Sequence, residues 1–117
     1  MRRTRCPPME PDLRVVERSP VAFVAKIVLR TRAVAVTLGT TIHLSGATRG
    51  EFLASPLWVE HERVHVGQYR RHGFWRFLAL YLAESVRRGY HDNRFEVEAR
   101  ERAAEVVRSS RTRATGR

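Results

Sequence analysis

Apolar and polar positions change rhythm several times along this chain, and each change predicts an element. Ser19-Pro20 reads as a helix N-cap followed by proline at the first helical position. A short helix should run from about Val21 to Leu29, with Phe23, Val24, Ile27 and Val28 at helical spacing. Residues 33–45, AVAVTLGTTIHLS, switch to a period of two. Val34, Val36 and Leu38 alternate with smaller residues, and Ile42 and Leu44 alternate with Thr41 and His43. This predicts a β-hairpin turning at Gly39, followed by a loop over Ser45–Gly50. Ser55-Pro56 repeats the cap-and-proline signal and opens a helix to about His72, which Gly73 ends. A further helix spans Phe74 to Arg88, with Phe74, Phe77, Leu78, Tyr81 and Leu82 as its apolar positions, and stops at Gly89. The last begins near Asn93 and reaches about Arg108. The expected class is α+β: a short N-terminal helix, a hairpin or small sheet, then three helices.

The chain has 117 residues, enough for one domain with one modest core. We expect that domain over residues 19–108, between a flexible basic arm at 1–18 and a disordered basic tail at 109–117. No run of about 18 residues is apolar and free of charge, so no membrane span is expected. The apolar run Val21–Ala25 is cut by Lys26 and lacks the flanks of a signal peptide. The expected location is cytoplasmic, with export by another route left open. A single cysteine, Cys6, rules out a disulfide framework or a CxxC zinc knuckle, and reads as a loose thiol or a latency ligand for a metal.

A net charge of +10 invites a nucleic-acid reading. The distribution weakens it: Arg2, Arg3, Arg5, Arg108, Arg111, Arg113 and Arg117 lie toward the two ends of the chain, and residues 19–108 carry only +5. Lys26 is the lone lysine, and so complete a replacement by arginine fits a coding bias better than selection for phosphate contacts.

The second long helix contains His61-Glu62-Arg63-Val64-His65, an HExxH motif. Residues four apart share a helix face, so both imidazoles can converge on one small cation. Neutral imidazole nitrogen suits zinc. Glu62 projects beside them, able to reach a water on the metal, which is the general-base position. From this composition, a chance HExxH has a probability of roughly 0.02. Trp58, Val59, Val64 and Val66 surround the motif and indicate a largely buried helix, in which histidines need partners.

Three protein ligands plus water is the usual catalytic arrangement. Downstream candidates are His72, Glu84, His91, Asp92, Glu96 and Glu98. His72 lies two turns beyond His65, and the third histidine of an HExxHxxGxxH pattern is absent, since Gln68 and Arg71 occupy those places. Glu96 is favoured over Glu98 because it shares its helix side with Ala99, a small residue that lets another helix approach. Glu96 also fits the third position of a capping box begun by Asn93, which would need no metal.

HERVHVGQY followed by a helix and then NRFEVEA resembles the gluzincins, in which a glutamate on a later helix completes HExxH. The Glu96-to-Ala99 spacing is similar to their ExxAD element, except that Arg100 stands where the aspartate would be. The compact size resembles the soluble minigluzincins, and HExxHxxQ resembles a bacterial zincin-like domain family of unknown function. The resemblance covers roughly residues 33–105. It implies a minimal zincin-like domain with Zn2+ held by His61, His65 and Glu96, and with Glu62 as the catalytic base. It also implies that the strand containing Ile42, His43 and Leu44 lines the cleft and pairs with a peptide or protein substrate. His43, on an edge strand, or Tyr69 or Tyr90 would be available as a further donor.

The function expected on this basis is zinc-dependent peptide hydrolysis. Two other readings remain: a non-catalytic domain stabilised by zinc, and a basic nucleic-acid-binding protein driven by its arginine tails.

Overall fold

The structure is a computed structural model and describes residues 14–115. Its elements are β1 (Arg14–Val16), α1 (Pro20–Leu29), β2 (Val34–Leu38), β3 (Thr41–Ser45), α2 (Arg49–Leu53), α3 (Pro56–His72), α4 (Phe74–Asp92) and α5 (Arg94–Thr115). The class is α+β: a three-stranded sheet in the order β1-β3-β2, with helices on both of its faces. No described helix is long and apolar enough to cross a membrane.

The hairpin forms where the period of two predicts it. β2 and β3 pair antiparallel, with Val36 opposite His43, and Gly39 at the turn has a φ of 67°. The sequence reading places residues 1–18 in a flexible arm. Arg14–Val16 instead forms a strand that pairs parallel to β3, with Val15 opposite Ile42. The rest of that arm, with Cys6, and residues 116–117 lie outside the described residues.

Ser19 and Ser55 cap α1 and α3, and each is followed by proline. The Ser19 side chain accepts from the Ala22 amide, and that of Ser55 from the Trp58 amide. At the end of the stretch read as a loop, Ser45–Gly50, α2 begins, started by a capping box of Thr48 and Glu51. Gly89, with a φ of 83°, kinks α4 where the sequence reading ends the helix. α5 continues to Thr115, past the expected end at Arg108.

Strand alternation sorts the sheet into two faces. Ala35, Ile42 and Leu44 pack with Phe52 and Val59 beneath α3. A second cluster of Tyr69, Phe77 and Phe95 ties α3, α4 and α5 together. Ala99 and Ala103 are buried on α5, the helix most extensively packed on α3, so these small side chains admit the close approach expected of Ala99. The large apolar positions of α1, Phe23, Val24, Ile27 and Val28, are exposed, and the small residue Ala22 faces the sheet.

Candidate metal centre

Three elements supply the centre. His61 and His65 stand one turn apart on α3, with ring centroids separated by 5.0 Å. Glu96 comes from the first turn of α5. Its Oε1 lies 3.0 Å from His61 Nε2 and 3.3 Å from His65 Nε2. One ligand atom from each of the three residues fits within a mutual separation of 4.8 Å. Tetrahedral donors about 2.0–2.1 Å from a zinc ion lie about 3.3–3.4 Å from one another. The two Glu96 separations are close to that, and the three donor atoms together approach the spacing a small cation requires. Two imidazoles and a carboxylate are also a donor set that catalytic zinc uses.

Glu96 is placed by the cap of its own helix. The Asn93 side chain accepts from the Phe95 amide at 2.8 Å and donates to the Tyr81 carbonyl at 3.0 Å and to Ser85 Oγ at 2.8 Å. Asn93 is fully buried and locks the start of α5 onto α4. The capping-box alternative for Glu96 is thereby answered. Its carboxylate faces the two histidines, and its second oxygen accepts from the Tyr81 hydroxyl.

A second layer orients the ligands. Gln68 Oε1 accepts from His65 Nδ1 at 2.8 Å, which turns His65 Nε2 toward Glu96. The Gln68 amide nitrogen donates to the Phe95 carbonyl at 3.2 Å and to Glu98 Oε1 at 2.7 Å. Glu98 therefore meets Gln68 and not the two histidines. The other candidates face elsewhere. His72 packs on Phe77 and Phe95, Glu84 pairs with Arg88 at 3.0 Å, and His91 and Asp92 are exposed.

Glu62 is buried beside the centre and accepts from Thr37 Oγ1 of β2 at 2.7 Å. Burial raises its pKa, opposed by both histidines and by the Thr37 hydrogen bond. For His65, burial works against the charged ring, but the hydrogen bond to Glu96 and the Glu62 charge outweigh it and raise the pKa to about 9. Glu96 is also desolvated, yet its bonds to His61 and His65 hold its carboxyl well below the usual range. These directions describe the metal-free centre. A bound cation would take over the role of the shared protons.

A cleft of about 680 Å³ opens beside His61 and Glu62, lined also by Ala35, Trp58, Tyr90 and Arg100. Arg100, which departs from the gluzincin pattern, donates to the His91 carbonyl at 2.8 Å and does not support a ligand. Tyr90 has its pKa raised, mainly by burial and then by the Glu96 and Glu62 charges, so its phenol stays protonated at the cleft wall.

Ile42, His43 and Leu44 stand outside this cleft. β3 is the central strand, with β1 on one edge and β2 on the other, so it has no edge to offer an incoming chain. Ile42 and Leu44 are core residues. His43 points to the opposite sheet face, where its Nδ1 lies 2.9 Å from Ser19 Oγ. Tyr69 is likewise a core residue, packed against Phe74 and Phe77. The sheet edge beside the centre belongs to β2, whose Val34 and Ala35 line the cleft.

Sequence reasoning missed Thr37, Gln68 and Tyr81. The three-residue spacing from His65 to Gln68 places them on one helix face and could have pointed to Gln68. Nothing in the local sequence marks the other two. Comparisons with protein-family models, with curated proteins and with solved structures found no match to this chain.

Proposed function

We propose that this protein is a small zinc-dependent metallopeptidase of the gluzincin type. His61, His65 and Glu96 would hold the ion, and Glu62 would serve as general base. The observation that carries the reading is the convergence of three donor side chains next to a buried carboxylate, with His61 and that carboxylate at the wall of one cleft.

Bound zinc would supply Lewis acidity and make water nucleophilic near neutral pH. Glu62 takes a proton from the attacking water and passes it to the leaving amine as the peptide bond breaks, which yields a carboxylic acid and an amine. Thr37 holds one Glu62 oxygen and leaves the other for this transfer. A raised pKa suits a base working near neutrality. Tyr90 offers a phenolic O–H to the carbonyl oxygen as charge develops there. The free edge of β2 supports substrate binding by strand addition, with the peptide backbone laid along Val34–Leu38.

Metal analysis with a peptide-cleavage assay tests the reading. The purified chain should carry about one zinc, and Glu62→Gln should keep it while losing cleavage by about 10²-fold or more. A chain that takes up no zinc would refute the proposal. Zinc bound tightly with no cleavage of any peptide would instead support the non-catalytic, zinc-stabilised domain.

A further inference from the structure

Helix α1 is turned with its small side chains inward and its large apolar ones outward. Ala22 is 0% exposed against the sheet, whereas Phe23 is 50%, Val24 59%, Ile27 59% and Val28 71% exposed. Val21 adds to the same outward surface at 45%. A face of this kind is normally covered by something.

From Arg18 to Gly50 every charged side chain is cationic. No carboxylate occurs between Glu17 and Glu51, while Arg18, Lys26, Arg30, Arg32 and Arg49 fall within that stretch. Arg18, Arg30 and Arg32 are exposed at the two ends of the helix. Lys26 stays beside the apolar face, with its ammonium 5.2 Å from the Phe23 ring centroid. Among the described residues no ion pair engages these four cations. Glu17, the flanking carboxylate, accepts from the Arg49 backbone amide.

We propose that α1 is an interfacial helix that docks this protein on an anionic lipid surface. Its apolar face enters the boundary between headgroups and acyl chains, and Arg18, Lys26, Arg30 and Arg32 meet the lipid phosphates. A second copy fits the face less well. Pairing two α1 helices would bring two sets of unneutralised cations together. A ten-residue helix is about 15 Å long and falls short of the ~800 Å² per partner of a stable dimer. Leu29 and Thr31, at the end of the same segment, line the cleft, so docking would bring the cleft rim to the lipid surface.

Co-sedimentation of the full chain with vesicles tests this. Vesicles of phosphatidylcholine mixed with phosphatidylglycerol should retain the protein, and phosphatidylcholine alone should retain it far less. Ile27→Glu with Val28→Glu should lower the partition at least tenfold, because both positions are exposed and their change removes the inserting face. Arg30→Gln and Arg32→Gln should each lower it roughly fivefold. Failure of the wild type to bind the anionic vesicles would overturn the proposal. So would binding that the double glutamate variant retains, which would place the attraction in the arginine tails. A lowered melting temperature in that variant would show that α1 is already covered by the chain itself. Conversion of a dimer to a monomer would show that a second copy covers it. Either outcome also overturns the proposal. None of these readouts depends on zinc or on cleavage.

Discussion

Replacing Glu96 by alanine is the perturbation that bears most directly on the candidate centre. The carboxylate touches three buried or half-buried groups: His61 Nε2 at 3.0 Å, His65 Nε2 at 3.3 Å and the Tyr81 hydroxyl. If Glu96 is a ligand, its loss removes one protein donor of three. Structural zinc sites bind with about 10–16 kcal/mol from four ligands, or roughly 2.5–4 kcal/mol per ligand. The zinc dissociation constant should therefore rise by two to three orders of magnitude, on the order of 10²–10³-fold. Glu98→Ala is the control from the same helix. Glu98 reaches His65 only through Gln68, which keeps its bond to the Phe95 carbonyl. Loss of such an outer partner costs about 10-fold, at the lower end of the range for supporting residues. Competition against a chromophoric chelator measures both constants, with circular dichroism to show that each variant is folded. Equal weakening in the two variants, or tight binding in Glu96→Ala, would refute the ligand assignment.

Three further outcomes follow from the same geometry. The Thr37 hydrogen bond lowers the pKa of Glu62, so Thr37→Val should raise it and move the acid limb of the kcat/KM profile to higher pH; an unmoved limb would separate Glu62 from the rate. In metal-free protein, the raised pKa of His65 contributes stability that is full below about 6.5 and is lost as pH rises through about 9. The lowered pKa of Glu96 contributes stability that is present above 4.5 and lost as pH falls toward its depressed value. Melting temperatures after chelation should therefore fall on both sides, and added zinc should remove the alkaline loss. Gly46→Ala should destabilise the fold by several kcal/mol in urea titration, since its φ is +85° and an added Cβ would lie 2.0 Å from the Arg32 carbonyl oxygen; a near-neutral effect would mean that the α1–β2 connection can move.

Helices α1 and α3 were legible because their start signals are local. Serine and proline side by side set both the cap and the first φ, and the structure uses both pairs. The hairpin was legible from its period of two. β1 was not, because three residues are too few to show a period and their strand exists only by pairing with β3. α2 has only five residues, too few for a helical period to show, although its capping box, Thr48 and Glu51, is present in the sequence. The outward turn of α1 was not legible from its hydrophobic spacing. Periodicity reports that a face exists, and says nothing about which way the neighbouring sheet will turn it.

Sequence alone determined the part of the centre carried on one helix. His61, Glu62 and His65 keep their mutual geometry wherever α3 lies, because helical repeat is a property of the local backbone. The same holds for the Gln68 contact with His65. Tertiary structure decided everything that reaches the centre from elsewhere. Glu96 arrives because Asn93 fixes the start of α5 against α4. Thr37 reaches Glu62 from a strand 25 residues away. β1, by pairing with β3, made β3 the central strand and left the edge beside the centre to β2. Such placements depend on chain segments far apart in sequence, whose relative positions are set by packing and strand pairing and leave no periodic mark on the chain itself.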